Sequence, residues 1–190
     1  MSRLNNESMR FERLIDDGRL WAVMYDEDES NVFDKVFSQW NDYEWLRNFF
    51  KDHLDDLSSY FHILDIDRAV FDTVDDANEL ACLILDIDPE ANLDMVFRPL
   101  ENDRMSEMVL GREKAKGRYY SHASWLRLYA IKLEAGYYII TGGAIKLTAT
   151  MREREHTLVE LNRLNQVRDF LINQGVFDLA GLINYNDEDN

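Results

Sequence analysis

Cysteine occurs once in the 190 residues, at Cys82. A lone cysteine makes no internal disulfide, so the sequence is not that of a stapled secreted scaffold, and a reducing compartment is expected. Two prolines and eight glycines exclude collagen-like and low-complexity chains. No run approaches the roughly 18–20 apolar residues of a membrane helix. Met1–Arg13 lacks the apolar stretch of a signal peptide. The expectation is a cytoplasmic protein that does not engage a membrane. Cations are scarce too: 21 Lys and Arg stand against 37 Asp and Glu, a formal net charge of −16. A total of that sign disfavours non-specific binding to nucleic acid. What is present is a hydrophobic fraction of 46%, enough for a packed core, over a length that suits one domain, 1–190.

The charge is unevenly placed. Residues 1–97 hold 8 Lys and Arg against 24 Asp and Glu, residues 98–168 hold 13 against 8, and residues 169–190 hold none against 5. An acidic half therefore precedes a basic segment and an acidic tail. Such asymmetry says more about partners than the total does.

Apolar spacing orders the chain. Leu20–Tyr25 is a short apolar run between turn signals and predicts a strand. Val32, Phe33, Val36, Phe37 and Trp40 follow Asn31 at helical spacing. Asn41 opens a second helix, whose stripe Leu46, Phe49, Phe50, Leu54, Leu57 and Phe61 runs unbroken. Asp65–Asp86 continues helical, with a break foreseen near Thr73–Asp75. Cys82 lies in this apolar stretch and is expected in the core rather than as a nucleophile. Pro89 opens a short helix through Phe97, which Pro99 ends. Residues 101–124 read as a connection, with a helical turn near Met105–Leu110. Trp125–Leu133, Tyr137–Thr141 and Ala144–Thr148 then predict three strands, with a bulge at Gly142-Gly143. Thr150-x-x-Glu153 fits a capping box for a last helix, which ends at Gly175. The tail 184–190 is expected to fray. The predicted class is α+β: a helical N-terminal half (1–100) packed on a small antiparallel β-meander, closed by a C-terminal helix (125–175).

Familiar catalytic signatures are missing. The histidines His53, His62, His122 and His156 form no zinc-binding spacing, so no metal site and no cofactor are predicted. Thr141–Lys146 carries two glycines and a lysine without P-loop spacing. Asp86-x-Asp88-x-Glu90 lacks the later positions of a calcium loop. What remains is basic and aromatic. Alternation places Arg127, Tyr129 and Ile131 on one side of a strand, and Leu126, Leu128, Ala130 and Lys132 on the other. Lys146 follows on the third strand, and Arg152, Arg154 and His156 cluster before the last helix. This set suits a phosphate backbone, with a Tyr or His for proton transfer.

The run Trp125-Leu126-Arg127-Leu128-Tyr129-Ala130-Ile131, a hairpin turn, then Tyr138-Ile139-Ile140-Thr141-Gly142-Gly143-Ala144-Ile145-Lys146-Leu147-Thr148 carries a resemblance. With the helix over Thr150–Gly175, and a helical hairpin (Leu46–Phe61, Asp67–Leu85) ahead of a basic linker, it resembles the RelE/HigB-like toxin superfamily, in its divergent, phage-derived branch. The similarity covers residues 112–175. It implies a small antiparallel sheet with helices packed on it. It also implies a ribosome-dependent RNA endonuclease of a toxin–antitoxin pair, working without metal. Arg127 and Lys146 match the family's strand-borne basic positions, with Tyr129 beside the former. The catalytic candidates are Arg127, Tyr129, Lys146 and His156. Lys132, Arg152 and Arg154 are candidates for RNA or anion binding, and an antitoxin or other protein is the expected partner. Family toxins are small and basic, whereas this chain is long and acidic. The alternative expectation is therefore a non-catalytic interaction or regulatory module whose acidic helical half binds a basic partner.

Overall fold

The computed structural model describes residues 9–101, 109–118 and 122–188. Most of the helical turn expected at Met105–Leu110 lies outside them. Six strands form one sheet in the order β1-β2-β6-β5-β4-β3: β1 Arg10–Arg13, β2 Leu20–Met24, β3 Arg98–Pro99, β4 Gly111–Lys116, β5 Leu126–Glu134 and β6 Tyr137–Ile145. The helices are α1 Val32–Trp40, α2 Tyr43–Asp52, α3 Leu54–Phe61, α4 Ile66–Leu85, α5 Glu155–Asn173 and α6 Leu179–Glu188. The class is α+β. The sheet is larger than a three-stranded meander, and it is mixed, because β2 pairs parallel to β6 through Leu20↔Tyr138 and Ala22↔Ile140.

The helical half covers one face of the sheet. Asn31 caps α1 by accepting from the Asp34 amide at 3.0 Å, as a side-chain oxygen at that position should. Trp40, Phe50 and Trp125 are buried together at 0–1% exposure, and the Phe50 ring meets Trp125 edge-on at 5.6 Å. A Cβ on Gly143 would come within 2.7 Å of Val36 Cγ1, so α1 lies directly on β6. On the other face, α5 sits on the preceding glycine: a Cβ at Gly142 would lie 1.8 Å from Glu160 Oε2. Consecutive strand residues face opposite ways, and this glycine pair lets a helix approach β6 from each side. The register between β5 and β6 slips where Tyr129↔Gly142 gives way to Ala130↔Ile140, leaving Thr141 as the extra residue of a bulge just before Gly142-Gly143, where it was expected.

Several boundaries depart from the sequence reading. The strand expected over Ala144–Thr148 is not separate, since β6 runs on through the glycines to Ile145. The long helix after Asn41 is two, capped by Asp42 rather than Asn41 and broken at His53, whose backbone leaves the helical region. Conversely, α4 has no break: the Thr73 hydroxyl donates back to the Ala69 carbonyl at 2.7 Å and stays within the helix. The helix after Pro89 shrinks to a 3-10 turn at Leu93–Met95. The Thr150 amide does bond Glu153 Oε1 at 2.6 Å, but α5 begins only at Glu155. Cys82 is exposed, which corrects its placement in the core. The tail does not fray over 184–188. It belongs to α6, tied to β1 by Tyr185 Oη donating to the Met9 carbonyl and Asn186 Nδ2 to that of Phe11, both at 2.9 Å. The connection 101–124 contains β4. No helix among the described residues is long and apolar enough to cross a membrane.

A candidate anion-binding cleft

Strand β4 pairs with β5 through Arg112↔Ile131, Lys114↔Tyr129 and Lys116↔Arg127. Residues opposite one another in a ladder point to the same face. Three cations of β4 therefore join Arg127 and Tyr129 on the face that α5 only partly covers. Beyond β6, the chain turns and brings Lys146 and Arg152 to the same place. Together they line an open cleft of about 480 Å³, with Leu100, Glu101, Ala149, Thr150, Met151 and Leu161 completing its walls. That size is in the range of ligand sites.

Outside the cleft, several basic side chains meet carboxylates: Arg19 with Asp17 at 2.6 Å, Arg47 with Asp67 at 2.6 Å, Lys132 with Asp94 at 3.0 Å and Arg154 with Asp56 at 2.5 Å. Others, Arg98 and Arg168, donate to backbone carbonyls. Inside the cleft, Arg127 Nη1 donates to the Ser124 and Leu126 carbonyls at 2.7 and 2.8 Å. Lys146 Nζ donates to those of Thr148 and Ala149 at 2.7 and 2.6 Å, and Lys114 Nζ to that of Leu100 at 2.7 Å. Arg112 donates to Asn165 Oδ1 at 2.9 Å and reaches Glu101, the one acid of the lining, at 3.4 Å. For Arg127 and Lys146, the carbonyls fix the group without cancelling its charge. Lys116 and Arg152 make no ion pair among the described residues. Burial and the neighbouring cations push the Lys114, Lys116 and Lys146 amines below the ordinary lysine range, as expected of like charges gathered in a recess. Tyr129 is 1% exposed, and its hydroxyl is buried without a hydrogen-bond partner among the described residues. Burial raises its pKa and keeps the phenol protonated.

The predicted residues divide into two sets. Arg127, Tyr129, Lys146 and Arg152 meet in the cleft. Lys132 lies on the opposite face of β5 from Arg127 and Tyr129, paired with Asp94. Arg154 is spent on a two-pronged bond to Asp56, at 2.7 and 2.5 Å, which pins the start of α5 to α3. His156 packs on the His53 ring at 4.8 Å and bonds the Ile145 carbonyl through Nε2 at 2.8 Å. These three do not line the cleft, and they tie neighbouring elements together. Arg112, Lys114 and Lys116 were missed because their segment read as a connection. Its signal is the alternation Arg112-Glu113-Lys114-Ala115-Lys116, a strand whose second-residue period is written in charge. Among the described residues, no group of three or more His, Cys, Asp or Glu is placed to hold a metal ion. No family model, no curated protein and no solved structure matches the chain.

Proposed function

We propose that the cleft binds the phosphodiester backbone of RNA, and that the protein is a RelE/HigB-like RNA endonuclease that works without metal. One observation carries the reading. In a chain with a large surplus of carboxylates, Arg127 and Lys146 meet in this cleft anchored to carbonyls and keep their charge. Outside the cleft, Lys132 and Arg154 are instead paired with Asp94 and Asp56. Cleavage by the 2′-hydroxyl needs a group to take its proton, a donor for the leaving 5′-oxygen, and charge to stabilise the phosphorane. The protonated Tyr129 phenol suits the second role, and the Arg127 guanidinium and Lys146 ammonium, both held by carbonyls, suit the third.

The test is digestion of single-stranded RNA in excess chelator, with products read by mass. Cleavage to 2′,3′-cyclic phosphate and 5′-hydroxyl ends is expected, lost in Arg127→Ala. Intact RNA, with no binding of a 2′-O-methyl oligonucleotide at low salt, would refute the reading.

A second reading, an interaction module, is favoured by a different surface. Asp67, Phe71, Asp75 and Glu79 fall on one outer stripe of α4, where Phe71 is 58% exposed and meets the half-exposed Tyr43 edge-on at 5.8 Å. Acids around an aromatic anchor suit a basic peptide. Loss of low-salt capture of such a partner in Phe71→Ala, with RNA binding kept, would assign that surface.

A further inference from the structure

On the cleft's side of the sheet, two buried polar atoms have no hydrogen-bond partner among the described residues, the Tyr129 hydroxyl and Glu160 Oε2. They belong to one arrangement. Tyr129 on β5 stands opposite Gly142 on β6, and Glu160 descends from α5 onto that glycine, which leaves the room its carboxyl occupies. Glu160 Oε1 accepts from Arg163 Nη1 at 3.0 Å, and the residue is 8% exposed. Leu161, the next residue, lines the cleft with Tyr129 and Arg127. A half-satisfied buried carboxyl is a poor choice for stability, since an apolar side chain there would avoid its desolvation.

We infer that Glu160 is a positioning residue for the cleft: a buried counter-charge behind Tyr129 that takes up a proton when a polyanion binds. This rests on the reading of the cleft as a polyanion site. An ionised Glu160 opposes an incoming phosphate and draws the single Tyr129 O–H inward. A protonated Glu160 lifts the opposition and leaves that O–H to donate to a phosphate oxygen. Linkage is reciprocal, so the bound anion favours the protonated carboxyl. The charged and titratable groups facing Glu160 are Arg163 on α5, Lys35 on α1, Tyr25 after β2 and Tyr129 on β5. Lys35 is itself bonded to Asp28 at 2.5 Å. Burial outweighs the pull of Arg163 and Lys35 and pushes the Glu160 carboxyl up to about 7. The exchange therefore falls within the neutral range.

The experiment is calorimetric titration of the full chain with a 5′-hydroxyl, 2′-O-methyl oligonucleotide, which has no titrating group near neutrality. Two buffers of different ionisation enthalpy at pH 7 report the protons taken up. Wild type takes up a fraction of a proton, and its affinity is about three- to tenfold higher at pH 6 than at pH 8. Glu160→Gln keeps the shape, takes up none, and loses most of that pH dependence. Tyr129→Phe binds more weakly at pH 6 and flattens the profile. Carbon NMR of the Glu160 carboxyl in the wild type needs no variant: its midpoint lies near neutrality and moves up when the oligonucleotide is added. Equal proton uptake in wild type and Glu160→Gln, or a midpoint that the oligonucleotide leaves unmoved, overturns the inference while the cleft reading stands. No binding by the wild type at either pH overturns both.

Discussion

Lys116 has no carboxylate partner among the described residues and sits at the exposed end of β4. Its removal therefore separates binding from folding. Lys116→Ala is expected to change unfolding free energy by less than about 0.5 kcal/mol. It should also lower the slope of log affinity against log salt by roughly 0.7, one phosphate contact on a single strand. Denaturant melts and salt-dependent anisotropy check the two halves. Glu160 makes the opposite kind of prediction. Its folded pKa lies above the ordinary 4.5, so the folded state holds the proton more tightly than the unfolded chain does. That stability is fully present below pH 4.5 and is lost as pH rises through about 7. Wild type should lose thermal stability relative to Glu160→Gln across that window, as pH-dependent melting will read. Asp56 has the reverse sign. Its bond to Arg154 lowers its pKa, so its contribution is present above the usual carboxylate range and lost as pH falls. Arg154→Ala should flatten the acid limb of the melting profile.

β6 is the element on which both helical layers rest, and its two glycines differ in what lies above them. The nearest atom over Gly142 is the end of a flexible side chain, Glu160 Oε2. Over Gly143 stand Val36, Trp40 and the Arg127 carbonyl. Gly142→Ala is expected to cost about 1–3 kcal/mol, and Gly143→Ala more, because its neighbours cannot swing aside. Pairing Gly142→Ala with Glu160→Ala should recover part of the first loss in a double-mutant cycle of denaturation energies. The same comparison explains what could be read from the sequence. α1, β2, α5 and the hairpin of β5 with β6 carry their periods in apolar residues, and each was legible. β1 and β4 each offer one such residue to the core, Phe11 and Ala115, and passed for loop. The break at His53 leaves the stripe from Leu46 to Phe61 intact, so spacing alone could not find it. For the site, alternation sorted Arg127 and Tyr129 from Lys132 correctly. No local pattern tells a cation with a distant acid from one without, and Asp56 lies 98 residues from Arg154.

For the whole molecule, the net charge of −16 and the cation-lined cleft respond to salt in opposite senses. Screening relieves repulsion among the acids of the helical layer and weakens a polyanion's grip on the cleft. Raising sodium chloride from 50 to about 300 mM should therefore raise the melting temperature while oligonucleotide affinity falls steeply. A joint fall would place the cleft's charge within the fold's own stabilisation. The parallel pairing of β2 with β6 adds a constraint of another kind. A strand spelled at residues 20–24 finds its neighbour at residues 138–140, so β2 leaves the ribosome long before the edge it needs has been translated. Until then its Leu-Trp-Ala-Val run has β1 along one edge and its β6-facing edge unmatched on an emerging chain. The helices α1 to α4 are made in the interval, and the cleft, lined by residues between 100 and 161, is translated after them.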